Sequence, residues 1–99
     1  MREIKDVVKD IREELEGAKH YAERAVMHKG TSAGNTYAEM ARQELSHVDK
    51  LHTLAVQMIN EQKAKGIKPP EAMQAVWDWE HERMIEETAH IRQLLDMAH

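Results

Sequence analysis

Apolar residues recur with the 3.6-residue period of an α-helix along almost the whole 99-residue chain, and glycine or proline breaks that rhythm at only two places. Few architectures survive such a pattern. The first run, about residues 3–28, lines up Ile4, Val7, Val8, Ile11, Leu15, Ala18, Ala22, Ala25 and Val26 on one face. "HKGTSAGNT" (28–36) interrupts it with two glycines and offers Asn35 or Thr36 as the N-cap of a second helix. That helix, about 36–64, carries Tyr37, Met40, Ala41, Val48, Leu51, Leu54, Ala55, Met58 and Ile59. Gly66 and the pair Pro69–Pro70 end it, and Pro70 suits the first turn of a third helix, about 70–98, with Met73, Val76, Ile91, Leu94 and Leu95 on one face. No strand signal remains.

The expected fold is therefore all-α, one domain over residues 1–99, built as an antiparallel bundle of three long helices. Short connections near 28–36 and 65–70 make chain neighbours antiparallel, and helices of this length give a bundle about 40 Å long at 1.5 Å per residue. Broad apolar faces with ionisable groups inside them are poorly covered by two neighbours, so self-association is expected.

A net charge of −4 argues against a nucleic-acid binder that works by neutralising phosphates. The chain has no Cys, which excludes disulfides, thiolate metal sites and a Cys nucleophile. The N-terminus "MREIKDVVKDIREELE" is amphipathic and acidic rather than a signal peptide, and no apolar run reaches membrane length. A soluble cytoplasmic protein is the expectation.

Seven His in so short a chain call for an explanation. "ELSHVDKLHTLA" (44–55) lies over "ETAHIRQLLDMA" (87–98), so Glu-x-x-His occurs twice within an internal repeat. On the wheel of helix 2, Glu44 projects within roughly 20° of the apolar centre near Leu51, and His47 within about 40°. On helix 3, Glu80 and Glu87 fall within about 40° of the Val76–Leu94 line, with His90 at its edge. Glu14 of helix 1 projects with Ile11, Ala18 and Tyr21. A buried carboxylate costs several kcal/mol unless a cation meets it. Arg83 can pair with Glu80 or Glu87 on neighbouring turns, whereas Glu14 and Glu44 have no such partner on their own stripes.

A metal ion satisfies them economically. Glu at i and His at i+3 reach one ion, a Glu from another helix can join, and the donor set suits iron, manganese or zinc. A single Glu-x-x-His arises readily by chance on a charged helix; two core-facing copies do not. Glu14, Glu44 and His47 are the leading ligands, Glu87 and His90 a second set for which an ordinary Arg83 pair competes, and Glu80 is as open to metal ligation as to an Arg83 pair or a wet subunit seam. His20, His28, His52, His81 and His99 read as solvated surface. Trp77 and Trp79 read as packing anchors at opposite edges of helix 3.

"EELEGAKHYAERA" (13–25) resembles the first helix of encapsulated-type ferritins and of the rubrerythrin di-iron domain, where a ligand Glu is followed by a small residue at +3 and Tyr at +7; here these are Glu14, Gly17 and Tyr21. "ARQELSHVDKL" (41–51) resembles their second helix, with Glu44 bridging and His47 terminal. The resemblance covers about residues 10–60. It implies the ferritin-like superfamily and a di-iron site that oxidises Fe(II) with O2 or peroxide, for storage or detoxification. In that setting Tyr21 would hydrogen-bond a ligand or quench a radical. Full-length members use four helices, and this chain has three. Either Glu80, Glu87 and His90 complete the site within one chain, or two copies of Glu14/Glu44/His47 meet across a twofold axis, as in the short encapsulated type. The encapsulated type also implies a shell protein as partner. Two further readings are rubrerythrin-like peroxide reduction, which would lack an in-chain Cys donor, and a metal-free helical adaptor.

Overall fold

The computed structural model describes residues 2–68 and 70–99, with the side chains of Arg2, Glu3 and Ala72 left aside. Pro69, the first of the two prolines read as a helix stop, lies outside the described residues. All regular structure among them is helical: α1 Arg2–Met27, α2 Ser32–Ala64 and α3 Glu71–Met97. The molecule measures 53 × 18 × 17 Å. It exceeds the expected length because α2 alone runs for 33 residues, about 50 Å of helix.

α1 is the central element, packed along α2 on one side and over a shorter stretch on α3 on another. Its stripe forms as the periodicity requires: Ile4, Val7, Ile11, Leu15, Ala18, Ala22 and Ala25 are all buried. Toward the α1–α2 turn both walls of the seam narrow to alanine, with Ala38 and Ala41 facing Ala18, Ala22 and Ala25 in one core cluster. Tyr21 stacks on Tyr37 at one end of the seam while Glu14 meets His47 further along, so α1 and α2 run antiparallel. The Arg12–Glu80 ion pair sets α3 alongside α1. Leu45, Val48 and Ala55 of α2 and Ile91 and Leu95 of α3 complete the core.

Three expectations change. α2 begins at Ser32 rather than near Thr36, because Thr31 is the N-cap: its hydroxyl accepts from the Gly34 amide at 3.1 Å and donates to the His28 carbonyl at 2.6 Å. The turn glycine is Gly30, at φ 83°. Gly34 is not a breaker but a point of close approach, where a Cβ would stand 2.2 Å from the His28 carbonyl oxygen. In α3, Val76 and Trp79 are exposed rather than packed; the Arg83 guanidinium lies over the Trp79 ring, 5.4 Å from its centroid. Gly66, at φ 76°, does end α2, and the Ile67 amide closes the turn onto Gln62 at 2.9 Å.

Candidate metal centre

Glu14 projects from the middle of α1, and Glu44 and His47 lie one turn apart on the facing stretch of α2. His47 Nδ1 is 3.4 Å from Glu14 Oε2 and 4.0 Å from Glu44 Oε1. One potential ligand atom from each residue lies within 4.8 Å of the other two. Oxygen and nitrogen ligands at 2.0–2.2 Å from a transition metal stand about 3.0–4.4 Å from one another. Both measured separations fall in that window, so the triad fits a single ion with small side-chain adjustment. The two Glu carboxylates could supply two negative charges and neutral His47 a nitrogen, a match for a divalent cation.

What seats Glu44 is the absence of a side chain on α1. A Cβ at Gly17 would lie 2.9 Å from Glu44 Oε2 and 3.7 Å from its Cδ, so the carboxylate lies against the α1 backbone in space that any other residue would fill. A hydrogen bond shared with Glu14, burial and the Glu14 charge push the Glu44 carboxyl up to about 7, against the opposing pull of His47. Near neutrality it is therefore about half protonated, and an arriving cation would displace that proton. The cluster lies half open: side-chain exposure is 28% for Glu14, 26% for Glu44 and 50% for His47.

The structure does not bring the remaining expected ligands to this point. α3 meets α1 on its Arg12 side, and Arg12 and Glu14 project about 160° apart round the helix. Glu80 is paired with Arg12 rather than Arg83, and is well shielded on the α1–α3 seam. Glu87 is held by Arg83 at 3.3 Å, the competing reading of that residue. His90 is exposed. Among the described residues, Glu14, Glu44 and His47 are the one group of this kind. Tyr21, two turns beyond Glu14, stacks on Tyr37 at 6.3 Å, and its hydroxyl makes no hydrogen bond to Glu14 or Glu44 among the described residues.

His52 and His81, read as solvated, are half-buried against Trp77 between α2 and α3. The signal for His52 was in the sequence: Leu45, Val48 and Ala55, all buried, stand at −7, −4 and +3 from it on one helical face. No helix among the described residues is long and apolar enough to cross a membrane. Set against known proteins, the chain matches no family model, and no match is found among curated proteins or solved structures.

Proposed function

We propose that this protein is a ferritin-like, iron-handling ferroxidase whose half-site is Glu14, Glu44 and His47, with Fe(II) as its substrate. The observation that carries the reading is the convergence of these three side chains beside Gly17, four of the five positions, Tyr21 being the fifth, at which the sequence resembles encapsulated-type ferritins and the rubrerythrin di-iron domain. In this reading His47 fixes the ion, Glu14 and Glu44 neutralise it, and the Glu44 carboxyl releases its proton as the ion arrives. Two Fe(II) ions supply two electrons, enough with two protons to take O2 to hydrogen peroxide. The product Fe(III) then leaves for storage.

A complete di-metal site needs more donors than one triad offers. The cluster opens on the side of the α1–α2 pair away from α3, and α2 continues that face with Met40, Leu51, Leu54 and Met58, of which Leu54 is 42% exposed. A second copy meeting this apolar strip across a twofold axis would bring two triads together and supply six side chains for two ions. One observation favours the adaptor alternative: the raised Glu44 carboxyl shares a hydrogen bond with Glu14, so near neutrality the pair carries less than its full negative charge without metal. Metal content after aerobic purification without chelator, together with light scattering, separates the two. The ferroxidase reading expects bound iron or manganese and an assembly larger than 11.5 kDa. A metal-free protein that gains no affinity for Fe(II), Mn(II) or Zn(II) would leave the adaptor reading standing.

A further inference from the structure

Apart from the carboxylate cluster, the fold gathers a second set of titratable side chains. The His52 imidazole of α2 lies nearly parallel to the Trp77 indole of α3, at 8° with centroids 6.3 Å apart. It also stacks on His81 at 5.0 Å and 25°, and His81 lies 6.1 Å from the same indole. Two neutral imidazoles on an indole are a largely apolar stack; two protonated ones at that distance repel.

The position of the stack gives it leverage. Among the described residues, the buried side chains of α3, Ile91 and Leu95, both belong to its C-terminal half. Over the first half, Trp77 and Met84 are only partly buried against the core, and Arg12–Glu80 is the ion pair to another helix. We propose that His52, Trp77 and His81 form a pH-sensitive latch that holds the first half of α3 against α2 at neutral pH and lets it go when the two imidazoles take up protons.

The surrounding charges support that direction. On α2, Asp49 favours a proton on His52; from α3, His81 opposes it. From α1, Arg12 and Glu16 line the cavity that His81 shares with Glu80, Arg83 and Glu87. Arg12 is engaged by Glu80 and Arg83 by Glu87, which leaves Glu16 as the charge of that cavity outside an ion pair among the described residues. Burial first, then the His81 charge, outweigh Asp49 and hold His52 below its ordinary value. A His whose folded value is lowered lends stability while neutral and withdraws it as pH falls. Attraction between an imidazolium and the Trp77 face acts the other way. The titration of Glu44 does not imitate the effect, since its protonation favours the fold at acid pH and its contacts join α1 to α2.

The test is amide exchange of the whole chain, with chelator present, between about pH 7.5 and about pH 5. Protection in residues 74–85 should fall several-fold while that in 91–96 holds, and His81→Gln should raise the His52 midpoint and flatten the response. Protection unchanged or higher at acid pH overturns the latch, as does a His81→Gln protein with the wild-type pH response. If the variant does not fold, ring titrations of the wild type decide. A His52 midpoint below that of an ordinary histidine and dependent on His81 supports the latch; two independent, ordinary midpoints overturn it.

Discussion

Replacing Gly17 with Ala should separate stability from metal affinity. The new methyl would stand 2.9 Å from Glu44 Oε2, well inside contact distance, while nothing else lies within 3.4 Å of it. The atom it meets is the free end of a flexible side chain, so the carboxylate swings away and the backbone stays. Ala for Gly in a helix interior gains about 0.5–1 kcal/mol, and moving one carboxylate off its preferred rotamer costs about 0.5–1.5 kcal/mol. The apo protein should therefore melt within a few degrees of wild type, since about 1 kcal/mol shifts a domain of this size by roughly 4–8 °C. Metal affinity has no such compensation. A displaced ligand should weaken Mn(II) or Fe(II) binding by at least about tenfold, or about 1.4 kcal/mol. Calorimetric titration with Mn(II) and thermal melts with chelator read the two quantities in one preparation. Gly34→Ala is the control. There the Cβ would meet the His28 carbonyl oxygen at 2.2 Å and its carbon at 2.8 Å, so backbone must move. That variant should lose well over 1 kcal/mol with metal affinity per folded molecule intact. A Gly17→Ala protein that binds metal as wild type does would refute the view that Glu44 needs its seat on α1.

His47→Ala should cut metal affinity and iron oxidation at least about tenfold without loss of helicity, checked by metal titration and far-UV circular dichroism; undiminished iron oxidation in Glu44→Ala would remove the proposed function. The Glu44 carboxyl rises from 4.5 to about 7 on folding, so its stabilising contribution is complete below about pH 4.5 and is lost as pH climbs through 7. Apo melting temperature should drop over that window by the equivalent of on the order of 2 kcal/mol, less where solvent screens the half-open site, and Glu44→Gln should flatten the curve. Bound metal reverses the trend, because ligation needs deprotonated Glu and neutral His. Glu80→Gln should cost about 1 kcal/mol through the Arg12 pair and leave metal stoichiometry unchanged, as elemental analysis would show; a fall in bound metal would restore Glu80 to the ligand set.

Much of the fold was legible because each helix announces itself locally: the stripes of α1 and α2 need no knowledge of their neighbours. What a helical wheel lacks is which neighbour a stripe faces. Glu14 and Glu80 both project inward on their own wheels, yet Glu80 faces the Arg12 side of α1, away from Glu14. Arg12 itself sits off the centre of the α1 stripe, and only the packing of α3 shows that it reaches Glu80. Glycine carried a similar ambiguity. Gly30 and Gly66 have positive φ and mark turns, whereas Gly34 and Gly17 are helical and exist for close approach, which depends on an atom from elsewhere in the chain. The convergence of Glu14, Glu44 and His47 is legible because the three share one seam and two of them one Glu-x-x-His unit.

Glu14 and His47 are 33 residues apart, and both belong to one helical hairpin that ends before α3 begins. Loop-closure entropy grows only slowly with length, so a hairpin of that size can close as a unit. The triad thus needs nothing from α3 to assemble. During synthesis α1 and α2 leave the ribosome before α3, and an ion captured by their hairpin would stabilise it while α3 is still emerging. If the proposed site holds, α3 carries none of its three ligands, and substitutions along α3 should be tolerated by the site for as long as the hairpin remains covered.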